Sequence, residues 1–148
     1  MSKTFKGRVV LPGKVTGKAT VSRQAFNTSA SYFQNMFAGK TDSAPCSDVS
    51  NKELVGKDLA NAILCTTTTV GSTTGGMALM GMADIGVGPG ALLFSQPIDT
   101  LAAAGVVMAD IWKDKPIITV DMLGDEFLET VQMGDPISVH EDGSVVVG

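Results

Sequence analysis

One loop of this chain holds many hydroxyl groups and glycines but no charged residue. Between Thr66 and Gly76 the sequence TTTTVGSTTGG contains six threonines, one serine and three glycines. An apolar segment typical of a buried strand precedes the loop, and Met77, Met80 and Ile85 follow it at helical spacing. A loop before a helix N-terminus presents backbone N–H groups and hydroxyls to an anion. The pattern therefore predicts a binding site for an anionic small molecule.

Ser72 is the candidate catalytic residue of this loop. A serine alkoxide is a strong base, but at neutral pH it needs nearby N–H donors, a helix N-terminus or a metal. The loop glycines allow the backbone to approach a ligand closely enough to supply such donors. The alternative is that Ser72 only caps the helix, since serine is a common N-cap residue. The candidate substrate-binding residues around it are Gly71, Thr73, Thr74, Gly75 and Thr69.

Length and composition predict a single domain over residues 1–148. The chain is 44% hydrophobic and 18% charged, which is typical of a globular protein with one core. A net charge of −4 argues against a nucleic-acid partner. No apolar run approaches the ~20 residues of a membrane span, so we expect no membrane association and a cytoplasmic protein. Cys46 and Cys65 are too few for a disulfide framework, and free thiols are expected.

The periodicities indicate strands interleaved with two helices, which is a mixed α/β fold class. Strands are predicted at residues 6–11, 18–22, 62–66, 90–94 and 116–120, and in a C-terminal hairpin at 136–139 and 144–147. One helix is predicted over 76–85, and a second is predicted to begin at a Ser95 cap, with Pro97 in its first turn, and to end near Val107. Residues 24–51 show no periodicity and predict a long functional loop.

Taken in order, these segments resemble the small, swivelling-domain subunit of the aconitase X family over nearly the whole chain. The corresponding segments are GKATVSRQAF, SYFQN, LVGKDLANAILCTTTT, VGSTTGG, GVGPGALLF, IDTLAAAGVVMADIWKDKPIITVD and GDPISV. The resemblance implies a swivelling β/β/α domain, as in the aconitase small domain. It also implies a hydro-lyase (dehydratase) that is active only with its large subunit, because the active site lies between the two. An iron ion or iron–sulfur cluster is implied as cofactor, held mainly by that partner, with Cys65 as a candidate ligand.

The family's loop usually contains the motif G-R-G-S, whose serine corresponds to Ser72 and whose arginine is replaced here by Val70. An arginine fork is suited to a phosphate or carboxylate, and its loss weakens a phosphate site more than an amino-acid site. The resemblance therefore implies the bacterial type that dehydrates the amino acid cis-3-hydroxy-L-proline. The alternatives are the small subunit of a phosphomevalonate dehydratase, or a non-catalytic interaction domain like the phosphohistidine domains. The latter needs a histidine on the loop, whereas His140, the one histidine of the sequence, is predicted in a hairpin turn.

Overall fold

The computed structural model describes residues 2–71 and 74–148. Its strands are β1 Lys3–Lys6, β2 Arg8–Leu11, β3 Val15–Val21, β4 Phe26–Asn27, β5 Ile63–Thr66, β6 Thr69–Val70, β7 Ala91–Phe94, β8 Ile118–Asp121, β9 Pro136–Val139 and β10 Ser144–Val147. Its helices are α1 Thr28–Ser31, α2 Phe33–Phe37, α3 Gly75–Asp84, α4 Thr100–Lys113 and α5 Asp125–Thr130. The predicted mixed α/β fold class is confirmed.

Eight of these strands form one mixed sheet in the order β1-β10-β9-β3-β5-β7-β8-β2. The four strands β3, β5, β7 and β8 run parallel to one another, and the remaining pairings in the sheet are antiparallel. Every residue of β5 and of β7 is buried, as expected for central strands that are covered on both faces. Strands β4 and β6 form a separate two-stranded parallel ribbon.

The two faces of the parallel strands support two separate apolar clusters. Leu64 and Leu92 pack with buried residues of α3 and α4. Ile63 and Cys65, which alternate with Leu64 on β5, pack with Phe127 of α5 and with residues of β1, β9 and β10. Since successive side chains of a strand point to opposite faces, the sheet separates these clusters.

Helices α3 and α4 pack against each other with their backbones in close contact near the N-terminus of α3. A side chain at Gly76 would collide with the Leu101 carbonyl oxygen, and one at Gly105 would collide with the Gly76 carbonyl oxygen. Only glycine at both positions permits this approach, which sets the beginning of α3 beside the first turns of α4. In the part of the chain that the structure describes, no helix is both long and apolar enough to cross a membrane.

Several local predictions were wrong. The helix after β7 is capped by Asp99 and not by Ser95, and it extends to Lys113 instead of ending near Val107. The predicted strand at 6–11 is two strands separated at Gly7, where a side chain would collide with the Asp121 carbonyl oxygen. Helix α5 was not predicted, because its six residues are too few to show a helical period.

The segment 24–51 is more ordered than its sequence indicates. It contains β4, α1 and α2, and its Phe26 and Tyr32 are fully buried, with ring centroids 6.0 Å apart. Both rings belong to the apolar cluster that includes Leu79 of α3. The rings of Phe33 and Phe37, by contrast, lie in contact with their centroids 4.8 Å apart and remain exposed.

Candidate functional site

A pocket of about 330 Å³ lies where the chain leaves the carboxyl ends of the parallel strands. Its lining includes Thr69, Val70 and Gly71 from the segment after β5, Gly75 from the start of α3, and residues from α1 and from the β7–α4 connection. Ligands of open α/β sheets bind at this edge, because the loops that follow neighbouring parallel strands meet there. The volume is at the lower end of the range for small-molecule sites. The pocket therefore brings together three of the predicted substrate-binding residues, Thr69, Gly71 and Gly75.

Asp99 is the one charged side chain among the described residues that line this pocket. One of its carboxylate oxygens, Oδ1, accepts hydrogen bonds from the backbone N–H groups of Leu101 and Ala102, each at 2.9 Å. The other oxygen, Oδ2, accepts a hydrogen bond from the hydroxyl of Thr69, which is 3% exposed. Asp99 thus caps α4 and connects it to the segment after β5.

The threonine run holds neighbouring connections together at the edge of the sheet. The Thr66 hydroxyl donates to the Gln24 carbonyl oxygen at 2.6 Å, and the Thr68 hydroxyl donates to the Pro97 carbonyl oxygen at 2.8 Å. These bonds tie the segments that follow β3, β5 and β7 to one another. The threonines therefore position the pocket, and of Thr66, Thr68 and Thr69 only Thr69 lines it.

The turn after β6 is fixed at Gly71. This residue has a φ of 122°, which side chains rarely adopt, and a Cβ there would lie 2.8 Å from Oδ1 of Asn27. That same oxygen accepts the Ala30 backbone N–H at 3.1 Å and so caps α1. Asn27 therefore holds the beginning of α1 against the turn, and only glycine fits between them.

Ser72 and Thr73 lie outside the residues that the structure describes. The roles predicted for them remain predictions. Thr74, directly after them, is exposed, and its hydroxyl shares a hydrogen bond of 3.2 Å with the Ser29 hydroxyl of α1. Its backbone carbonyl oxygen accepts the first helical N–H of α3, from Ala78.

Cys65 does not face the pocket, contrary to the interpretation of it as a candidate metal ligand beside the loop. Its side chain is fully buried among Ile63, Leu93 and Phe127, on the sheet face away from α3 and α4. Burial raises the pKa of the thiol far above its ordinary value, so the thiol of the free chain stays protonated. Cys46 is also buried and free, and it packs in the other apolar cluster.

The described residues do not fit an iron ion or iron–sulfur cluster held by this chain. Within the ranges 2–71 and 74–148, no group of three or more histidine, cysteine, aspartate or glutamate side chains is placed to bind a metal. A cluster needs several thiolates, and both cysteines are buried in the core on opposite faces of the sheet. The described residues therefore offer no complete ligand set for an iron ion or cluster.

Sequence reasoning missed two polar residues that line the pocket, Asp99 and Thr28. The aspartates of the sequence show no paired-carboxylate spacing, and such spacing would not reveal a single acid at a helix cap. A usable signal was present, because Asp99 precedes the apolar helical run TLAAAGVV and follows a buried strand. No sequence signal marks Thr28. It directly follows β4 of the β4–β6 ribbon and lines the pocket, where its side chain lies beside Gly75.

Comparison with known proteins gives one family and two similar structures. The model of the aconitase X swivel domain family matches residues 4–147. The crystal structure of Thermococcus kodakaraensis aconitase X in its holo-form superposes with a TM-score of 0.81 at 22% identity, covering 99% of this chain and 98% of that chain. A UPF0107 protein solved in solution by NMR superposes with a TM-score of 0.73 at 25% identity, covering 97% of each chain. No curated protein matches in sequence.

Proposed function

The chain belongs to the aconitase X swivel domain family, and we propose that it is the small subunit of a hydro-lyase that dehydrates cis-3-hydroxy-L-proline. Residues 1–148 act in this proposal as one swivelling domain, and the active site is shared with a large subunit. The observation that carries the proposal is the pocket at the carboxyl edge of the sheet, which is lined by the predicted substrate-binding residues Thr69, Gly71 and Gly75. The site is half of an active site, so the chain alone is inert.

The lining of the pocket favours an amino-acid substrate over a phosphate ester. Val70, which stands in place of the arginine of the family motif, lines the pocket and is 47% exposed. Among the described lining residues there is no lysine or arginine, and Asp99 contributes a negative charge. A phosphate dianion would approach this wall without a cationic partner, which is unfavourable in a partly desolvated site.

In the proposed reaction, Ser72 accepts the proton from C2 of the substrate, and the hydroxyl group leaves from C3 as the C2–C3 double bond forms. The resulting enamine tautomerises to Δ1-pyrroline-2-carboxylate, so the balance is the loss of one water. Backbone N–H groups at the start of α3, which have no partner within the helix, hold the substrate carboxylate. Gly71, Thr73, Thr74 and Gly75 shape this part of the site. The proton transfer by Ser72 is expected to supply a rate factor of about 10²–10⁴.

The remaining components are assigned to the partner. Because the described residues do not fit a metal site, we place the iron or iron–sulfur cluster expected for this family in the large subunit. The two buried, free cysteines agree with a reducing compartment, and we propose the cytoplasm.

The test is anaerobic co-expression with the large subunit, followed by an assay of cis-3-hydroxy-L-proline dehydration. The wild-type complex is expected to turn over, and Ser72→Ala is expected to lower kcat by at least about 100-fold. Ser138→Ala is the matched control, because it removes a serine hydroxyl from the exposed face of β9, where the Thr16 hydroxyl donates to it at 3.2 Å.

Each result has a definite meaning. A Ser72→Ala complex with wild-type turnover would contradict the role of Ser72. An intact, iron-loaded complex that does not turn over cis-3-hydroxy-L-proline would contradict the substrate, and phosphomevalonate would be assayed next. Failure to form any complex would contradict the assignment as a small subunit.

A further inference from the structure

Asp99 caps α4 and also lines the pocket, so its carboxylate is placed where it can bind a ligand. Its side chain lines the pocket, and two backbone N–H groups and the Thr69 hydroxyl hold it in place. A carboxylate can accept about four hydrogen bonds, and the described residues supply three of them. The Asp99 carboxylate is therefore fixed in orientation, and it can still accept one hydrogen bond from a ligand.

The charges around the pocket indicate which kind of ligand group would donate a hydrogen bond to Asp99. No cationic side chain lines the described wall, so the charge of Asp99 is not neutralised by a neighbour within it. The N-terminus of α4 does not supply an anion site here, because Asp99 itself occupies the N–H groups of Leu101 and Ala102. A group with positive charge and N–H donors is the complement to such a carboxylate.

The two helix N-termini at the pocket also differ from each other. Gly76 of α3 packs directly against the Leu101 backbone of α4, so the first turns of both helices adjoin. The described part of the α3 start brings only Gly75, which is uncharged, to the pocket wall, whereas the α4 start brings Asp99. The α3 end of the described wall is therefore uncharged and the α4 end carries a carboxylate, so an ammonium group is complementary to the α4 end.

We propose that Asp99 binds the ammonium group of an amino-acid substrate and selects zwitterionic substrates over anions that lack an amine. This inference rests on the proposed function for the identity of the ligand class, but it can be tested without turnover. Asp99 acts here as a specificity residue, and it has no part in the proton transfer assigned to Ser72.

The experiment uses the complex with the large subunit and two unreactive ligands, L-proline and cyclopentanecarboxylate, titrated by calorimetry. The two ligands share a five-membered ring and a carboxylate, and only proline carries the ammonium group. The wild-type complex is expected to bind proline about 10- to 100-fold more tightly, which is typical of a hydrogen bond to a charged group. Asp99→Asn is expected to remove most of this preference while leaving the affinity for cyclopentanecarboxylate within about threefold.

Asn caps helices as well as Asp does, so Asp99→Asn should keep the fold, and Asp99→Ser gives a second uncharged cap if it does not. Asp110→Asn is the matched control, because it makes the same change on α4 at a residue that does not line the pocket. Its preference for proline should equal that of the wild type.

The inference is overturned if the wild-type complex shows no preference, if it binds neither ligand, or if both uncharged variants keep the preference. Failure of the proposed function is read separately, as the absence of turnover with cis-3-hydroxy-L-proline. A complex that prefers proline through Asp99 without dehydrating the hydroxyproline would retain the inference and reject the reaction.

Discussion

At the residue scale, the cysteine that the sequence placed near the chemistry belongs to the core. Cys65 is fully buried on β5, and burial raises its thiol pKa above the ordinary value of 9.0. Below pH 9 the thiol is protonated in both the folded and the unfolded state, and it does not affect stability through ionisation. Above pH 9 only the unfolded state loses the proton, so the folded state is progressively disfavoured. The stability contributed by the protonated thiol is thus present at neutral pH and is lost as the pH rises.

We therefore expect the free energy of unfolding of the wild type to fall between pH 9 and 10 relative to that of Cys65→Val, by up to about 1.4 kcal/mol per pH unit. Urea unfolding of the isolated chain at pH 8, 9 and 10 measures this difference. Tyr32→Phe is the control, because the buried Tyr32 also has a raised pKa but ionises in the unfolded state only near 10.0, one unit higher. Parallel pH profiles for the wild type and Cys65→Val would show that the thiol is not held protonated.

At the element scale, the pocket depends on how closely α3 approaches α4. A methyl group at Gly76 would collide with the Leu101 carbonyl oxygen, and backbone atoms cannot move aside as a flexible side chain can. We expect Gly76→Ala to lower the free energy of unfolding by about 1–3 kcal/mol, the usual cost of overpacking. Gly81→Ala, in the same helix but at a position where a Cβ would meet nothing within 4 Å, should raise it by roughly 0.5–1 kcal/mol.

Thermal and urea unfolding of the two glycine variants measure these changes, and their opposite signs are the decisive feature. Equal destabilisation by both substitutions would mean that alanine destabilises helix α3 at any position, and not through the contact between Gly76 and Leu101. Equal stabilisation would mean that the contact with Leu101 is not retained in solution. In the complex, Gly76→Ala should also weaken the binding of proline, because it displaces the beginning of α3 from the pocket.

At the scale of the whole molecule, the sequence predicted the sheet better than the site. The buried strands around Leu64 and Leu92 and the hairpin around Asp142–Gly143 follow from short-range patterns, and the structure confirms them. The position of the Asp99 side chain in the pocket depends on a hydrogen bond from Thr69, which lies thirty residues away in the chain. No local sequence pattern encodes a contact between residues so far apart. The order of the 24–51 segment is equally non-local, because Tyr32 is buried in an apolar cluster that includes Leu79 of α3.

Exposed apolar side chains on α3 and α4 predict where a partner subunit binds. Met77 lies in the first turn of α3, close in sequence to the pocket residue Gly75, and is 63% exposed. Ile111 lies near the far end of α4 and is 68% exposed. It is about 15 Å further along α4 than the pocket residue Leu101. If the large subunit completes the active site, it must cover Met77 and can leave Ile111 in water. We expect Met77→Glu to weaken the complex at least tenfold, because a charge is buried without a partner, and Ile111→Glu to leave its dissociation constant unchanged.

Calorimetric titration of the large subunit with each variant tests this expectation. A glutamate in the first turn of α3 is compatible with the helix dipole, so the fold of Met77→Glu should be intact, and circular dichroism of the free chain checks it. Equal affinity of Met77→Glu and the wild type would place the partner elsewhere and would leave the pocket open to solvent. Weakening by Ile111→Glu alone would move the interface to the far end of α4, and the shared active site at the carboxyl edge of the sheet would then be rejected.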